Sequence, residues 1–299
     1  MKDAPYLVFP IQELPEQAGW LLNQSVPVIA LGEGAAANAD VVINEGAELD
    51  TVLANIRHTP IAAMTLVQVL RVVESLPIEA AMTVESLAYA TLQAGPEYQA
   101  WQQARDEAPR LVAGGEGEPV SIVREGDVVK AQLNRPENRN SLTVEMRQAL
   151  IELFELVLLD DSIQRVELSG RGACFSVGGE LREFGLATDP ASAHWIRSVH
   201  NPSRLLARCS HRVSCHLHSA CLGSGLEIPA FARHVSAAPK TFFQLPELGF
   251  GLIPGAGGCV SVPHRIGRQR TAWLALSGKK INARQALEWG LIDEIRDSA

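Results

Sequence analysis

The sequence predicts an α/β layered domain that follows a mainly helical module. Three observations carry that reading. Beyond residue 120, β-type apolar runs alternate with helical faces and Gly-rich turns, the pattern of strands and helices packed in layers. Before residue 113, apolar residues recur mostly at helical spacing. Between them lies Ala113-Gly114-Gly115-Glu116-Gly117-Glu118-Pro119, polar and glycine-rich like a flexible linker. The expected organisation is an N-terminal mainly helical module over 1–113, a linker over 114–119 and a core domain over 120–299.

In the module, residues up to about 38 carry Pro5, Pro10, Pro15 and Pro27, and only Val28-Ile29-Ala30-Leu31 reads as a short strand. Met64, Val67, Leu70 and Val73 recur at helical spacing, as do Ala81, Val84, Ala88 and Leu92. Pro77 stands where a helix can begin, and Gly95-Pro96 reads as a stop followed by a restart. In the core, residues 120–123 and 128–133 read as strands joined by a tight turn at Glu125-Gly126. Met146, Leu150, Leu153 and Val157 form one helix face, and Val166-Glu167-Leu168 a strand. Asn282 can cap a helix that Gly290 ends, and residues 291–295 read as a closing strand.

Composition narrows the function classes. The chain has 299 residues, 46% of them hydrophobic and 20% charged, enough for a sizeable core and unlike a disordered or disulfide-stapled protein. Its formal charge of −8, with no Lys/Arg block, argues against nucleic acid as a partner. The start, Met1-Lys2-Asp3-Ala4-Pro5, lacks a signal-peptide layout, and no apolar run is long enough to span a bilayer. Cys174, Cys209, Cys215, Cys221 and Cys259 are odd in number and form no C-x-x-C pair, so reduced thiols in a cytoplasmic setting are expected.

Three core segments carry residues suited to chemistry. In Arg171-Gly172-Ala173-Cys174-Phe175-Ser176-Val177-Gly178-Gly179-Glu180-Leu181 a strand feeds paired glycines, and a helix is expected near Leu181. Glycines there let backbone N–H groups approach a ligand, although a ligand-free tight turn has the same composition. In Leu222-Gly223-Ser224-Gly225-Leu226-Glu227 a helix start offers free N–H groups to negative charge. Glu227 is then either ordinary first-turn dressing or an acid or base beside an anion hole. Glu247 sits in the apolar, Pro/Gly-punctuated run from Phe243 to Gly258. It is either a solvent-facing loop residue or a proton donor whose pKa apolar surroundings raise.

Taken in order, these segments resemble the crotonase superfamily, the enoyl-CoA hydratase/isomerase family. The resemblance runs from about Val120 to the end. It opens at Leu133-Asn134-Arg135-Pro136-Glu137-Asn138-Arg139-Asn140-Ser141-Leu142 and closes at Ala286-Leu287-Glu288-Trp289-Gly290-Leu291-Ile292-Asp293-Glu294, with Gly251 to Gly258 (G-L-I-P-G-A-G-G) highly specific. It implies a spiral of repeated ββα units, usually assembled as trimers or dimers of trimers. It also implies an acyl-CoA substrate and no cofactor beyond the coenzyme A that the substrate carries. Gly179 matches the first oxyanion-hole amide and Ser224 the second, where the family usually has glycine. Glu227 and Glu247 match the two glutamates of the hydratases, Glu227 activating water and Glu247 protonating C2. Arg139, at the mouth of the coenzyme A site, Val177, towards the adenine end, and Gly178 and Gly223 match substrate-binding positions. The activity so implied is hydration of a 2-enoyl-CoA to a 3-hydroxyacyl-CoA, in fatty acid metabolism. The alternatives are an isomerase or another enolate-using enzyme of the same fold, and a non-catalytic acyl-CoA-binding or assembly protein.

Several positions depart from the family. Ser219 replaces a common glycine, Arg233 a usual aspartate, and Pro229 falls inside the expected helix. The stretch Cys209 to Cys221 holds three histidines and three cysteines, but its spacing fits no common zinc pattern and no metal is expected. Residues 186–208, including His194, Trp195 and His200, are expected to help line the pocket, although any one of these aromatic and histidine side chains could simply pack the core. Family members also continue for several dozen residues past the counterpart of Glu294, and residues from about 41 to 105 look similar to that part. Two readings result: a circular permutation, with the family's C-terminal helices moved to the front, or an unrelated helical appendage.

Overall fold

A computed structural model describes residues 4–44 and 46–297 of the chain. Residues 1–3, part of the start read above for a leader, lie outside the described residues, as do Glu45 and residues 298–299. The chain opens with β1 (Leu7–Pro10), β2 (Val28–Leu31) and β3 (Val41–Ile43), paired in parallel in that order. Only β2 is legible in the sequence, because β1 is an edge strand ending in proline and β3 is too short to show a period. Four helices follow: α1 (Ala47–His58), α2 (Pro60–Val73), α3 (Ile78–Gln93) and α4 (Pro96–Gln103). Pro60 and Pro96 sit in first turns and Pro77 at an N-cap, where a missing N–H costs nothing. The buried face of α3 is rotated from the predicted one. Met82, Glu85, Ser86 and Tyr89 point inward with Ala81 and Leu92, while Val84 and Ala88 are half-buried.

The core comprises β4 (Val120–Glu125), β5 (Val128–Leu133), α5 (Val144–Leu159), β6 (Arg165–Gly170), α6 (Pro190–Val199), α7 (Pro202–Cys209), β7 (Val213–Leu217), β8 (Ala220–Leu222) and α8 (Ser224–Glu227). It continues with β9 (His234–Ala237), β10 (Phe242–Gln244), α9 (Gly258–Ile266), α10 (Arg268–Ser277), β11 (Ile281–Asn282), α11 (Ala283–Trp289) and β12 (Glu294–Ile295). A six-stranded sheet runs β12-β9-β7-β6-β5-β4, and a three-stranded sheet runs β11-β10-β8. Each of β7 and β9 in the large sheet is followed by a strand of the small one, and β8 and β10 pair in parallel. One strand per layer per turn is the spiral that the resemblance implies.

Local rules place these elements. Thr143 accepts the Met146 N–H at 3.0 Å and starts α5, whose Met146, Leu150, Leu153 and Val157 are buried. Asn282 accepts the Gln285 N–H at 2.9 Å, and Gly290 ends α11 in the left-handed region. Three predictions need correction. The helix expected near Leu181 is a single 3-10 turn, Leu181–Glu183. The helix after Gly223 is one turn long, and Pro229 begins a separate 3-10 turn, Pro229–Phe231. The closing strand is confined to Glu294–Ile295; Leu291 and Ile292 are apolar because they are buried in a turn. Ser219, in the place of a common glycine, has φ 55°, the region that favours glycine.

The module docks on the core through polar as well as apolar contacts. Asp40 is buried against Arg71 of α2 and Arg268 of α10, and it also accepts the Val28 N–H at 2.8 Å. Asn55 donates to the Leu276 and Ser277 carbonyls at 2.9 and 3.0 Å, and Trp273 donates to Glu48 at 2.9 Å. Further along, α3 packs on α6 and α9, over the mouth of the cavity described next.

Candidate active site

Four residues predicted from sequence line one cavity of about 430 Å³: Gly179, Ser224, Glu227 and Glu247. Gly179 follows the turn after β6, and Ser224 and Glu227 form the single turn after β8. Glu247 opens the 3-10 turn Glu247–Phe250. Among the described residues, no hydrogen bond takes up the Gly179 or Ser224 main-chain N–H. Each is therefore a free donor at the cavity wall. With only four residues in α8, the donor at Ser224 is an individual amide rather than a helix dipole.

The two glutamates flank one glycine. Gly223 has φ 47°, and a Cβ there would stand 2.5 Å from Glu247 Oε1 and 3.9 Å from Glu227 Oε1. Any side chain would displace a carboxyl. Glu227 is seated by the α9 entrance, where the Ala256 and Gly258 N–H groups donate to its Oε2 at 2.7 and 2.9 Å. A Cβ on Gly258 would come within 2.5 Å of Glu227 Cγ, so glycine is required for that approach. Glu247 has no such support: its Oε2 is buried without a hydrogen-bond partner, as is the Ser224 Oγ.

Sequence reasoning missed a third carboxylate. Glu85 of α3 is 1% exposed and accepts the Gly257 and Cys259 N–H groups at 2.7 and 2.8 Å. Glu227 and Glu85 thus take alternate members of four successive amides, 256 to 259. The signal available in the sequence was a charged residue on the face of α3 that carries Met82 and Tyr89. Burial raises the pKa of all three carboxyls. The Glu227 charge pushes Glu85 and Glu247 further up, while its own amide donors pull Glu227 back. Tyr89 of α3 and Arg197 of α6 complete this wall, the guanidinium lying 4.2 Å from the ring centroid.

Other predicted residues lie apart from the cavity wall. Arg139 is exposed with φ 52°, and the Val177 N–H donates to its carbonyl at 3.2 Å. Gly178 and Gly223 are buried behind the wall, with Gly178 O accepting the Leu142 N–H. His200 lines the cavity, but His194 and Trp195 do not: His194 bonds Ser86, and Trp195 is 64% exposed. In the His/Cys-rich stretch, His216 bonds Ser236 and His218 bonds the Gly172 carbonyl. All five cysteines are buried and free, and no metal-ligand cluster of three forms among the described residues.

Comparison with known proteins agrees with this geometry. A family profile described as enoyl-CoA hydratase/isomerase matches residues 124–298. The chain is 35% identical to the 1,2-epoxyphenylacetyl-CoA isomerase of Escherichia coli K12 over 182 residues, covering 60% of this chain and 69% of the relative. It is 27% identical to the mitochondrial Delta(3,5)-Delta(2,4)-dienoyl-CoA isomerase of Mus musculus over 207 residues, 65% of this chain and 63% of that one. The crystal structure of an enoyl-CoA hydratase from Thermoplasma volcanium GSS1 superposes with a TM-score of 0.56 at 33% identity, covering 61% of this chain and 73% of that chain. The chain is a member of the enoyl-CoA hydratase/isomerase family, whose members are enzymes acting on acyl-CoA substrates. Among the described residues, no helix is long and apolar enough to cross a membrane.

Proposed function

We propose that the protein hydrates a 2-enoyl-CoA to a 3-hydroxyacyl-CoA. The supporting observation is the unequal setting of two carboxyls on one cavity. Glu227 receives two amide N–H groups, which favour its anion. Glu247 is desolvated beside that anion, which favours its protonated form. A base and an acid therefore face the same space, as addition of water across a conjugated double bond requires. Glu227 takes the proton from water as its oxygen attacks C3, and Glu247 delivers a proton to C2. The thioester oxygen carries negative charge between these events, and the Gly179 and Ser224 amides are placed to receive it.

The test is the loss of conjugated-thioester absorbance from crotonyl-CoA and longer enoyl-CoA substrates. Wild type should hydrate at least one, and Glu227→Gln and Glu247→Gln should each lose about 10²- to 10⁴-fold in the same assay. The isomerase relatives favour a second reading, double-bond migration through one carboxylate. Under it, one of the two variants would keep full turnover of a 3-enoyl-CoA. Acyl-CoA binding with no turnover of any substrate would instead favour a non-catalytic role. The same proposal makes the N-terminal helices the counterpart of the family's C-terminal ones. A re-ordered chain, with residues 41–112 placed after the core, should then fold and keep activity. Assembly as a trimer or hexamer belongs to this reading and is checked by light scattering.

A further inference from the structure

The cavity holds two arginines for which the hydration chemistry has no use. Arg147 projects from α5 and Arg197 from α6, and both line the same wall as the carboxyls. Each is half-buried, and the Arg147 charge acts against that of Arg197. A half-buried guanidinium with unfilled donors on a cavity wall favours an anionic ligand.

Among the described residues no carboxylate forms an ion pair with either arginine, although the Glu85 charge acts on Arg197. Arg147 makes no side-chain hydrogen bond or ion pair among the described residues; only the Glu183 charge acts on it from a distance. The Glu183 carboxylate is already occupied by the Val112 and Val144 N–H groups at 3.1 and 2.7 Å. Glu180, which lines the cavity with Glu183, Glu227 and Glu247, is engaged by Arg182 and Ser141, each at 2.8 Å. Arg197 donates once, to Gln93 Oε1 at 2.8 Å, and stacks on Tyr89, yet its Nε is buried without a partner. Around these groups the wall is apolar, with Leu142, Phe184, Leu186 and Ile196 among its residues.

We propose that Arg147 and Arg197 form a subsite for a carboxylate at the far end of the acyl group, so that the substrate is a coenzyme A thioester of a dicarboxylic acid. The inference rests on the acyl-CoA reading of the cavity, and it specifies the acyl class. An apolar wall receives the methylene chain, and a guanidinium pair receives its charged end through charge-assisted hydrogen bonds. Arg197 thereby gains the acceptor its Nε lacks, and Arg147 gains a partner for a side chain that has none among the described residues.

Calorimetric binding of non-reacting saturated thioesters tests this without turnover. Adipyl-CoA and succinyl-CoA are compared with hexanoyl-CoA and butyryl-CoA, which end in methyl at the same lengths. Wild type should prefer the carboxyl-ended ligand by about tenfold or more, as expected for hydrogen bonds to a charged group. Arg147→Met and Arg197→Met should each cut that ratio severalfold, and lysine at either position should restore part of it. Equal affinity of wild type for the two series overturns the proposal, whatever the variants do. So does a loss of free coenzyme A affinity equal to the loss for the carboxyl-ended ligands, which would place a coenzyme A phosphate at the arginines. A carboxyl preference without hydration of any enoyl-CoA would sink the hydratase reading and leave this one standing. Hydration without the preference would do the reverse.

Discussion

The spiral core and the N-terminal module contribute to one site in different ways. The core supplies the groups that the proposed reaction uses: two free amides and two carboxyls that line one cavity. The module supplies a wall, Tyr89 and Gln93, and one buried carboxylate, Glu85, that holds the α9 entrance from the other side. The family match covers residues 124–298 and so lies in the core. The difference teaches that catalytic groups are written in local motifs, whereas the groups that close and tune the cavity come from a helix over a hundred residues away.

The sharpest break of that comparison lies in the core. Glu227→Gln should lower kcat/KM for enoyl-CoA hydration by about 10²- to 10⁴-fold, the usual worth of a positioned acid or base. Hydration within tenfold of wild type would remove Glu227 from the chemistry. Next in size is a break between the regions. Asp40→Ala leaves the Arg71 guanidinium buried without a carboxylate and removes one of the two that Arg268 holds, Glu74 remaining. It should destabilise the protein by about 3–5 kcal/mol in chemical denaturation, the cost of removing one partner of a buried pair. A loss under 1 kcal/mol would mean that Asp40 does not hold the module down.

Glu85 sharpens the comparison through pH. All three buried carboxyls have folded-state pKa values above the ordinary carboxylate range, with Glu85 near 8. A raised value contributes stability that is complete below the unfolded pKa and is lost as pH rises through the folded one. The melting temperature should therefore fall as pH climbs from about 5 towards 8, and Glu85→Gln should flatten that fall. The same variant removes a negative charge acting on Glu247, so the alkaline limb of the kcat/KM profile should move to lower pH. An unchanged limb would make Glu85 a purely structural acid. The smallest effect is expected from a core cap: Asn282→Ala loses the bond to Gln285 N–H and should cost about 1 kcal/mol.

Legibility followed the range of the interaction. Strands β4 and β5, helix α5 and the Asn282-to-Gly290 helix could be read because alternation, helical spacing and caps act over a few residues. Strands β1 and β3 could not, since what makes them strands is pairing with β2. The direction of the Glu85 face escaped the same reading, because Val84 and Ala88 have the apolar character that normally marks the inside.

By itself the sequence determined which residue types reach each turn of the spiral: glycines where the backbone must approach, Glu227 and Glu247 twenty positions apart, and capped helices between. Only the tertiary structure decided that these carboxyls share a cavity with two free amides, that Glu85 interleaves with Glu227 on four consecutive N–H groups, and that two arginines face that cavity with no ion pair to an acid among the described residues. The reason is electrostatic. Burial and partner distance set whether a carboxyl or guanidinium is charged, paired or waiting for a ligand, and both are properties of packing between segments far apart in the chain.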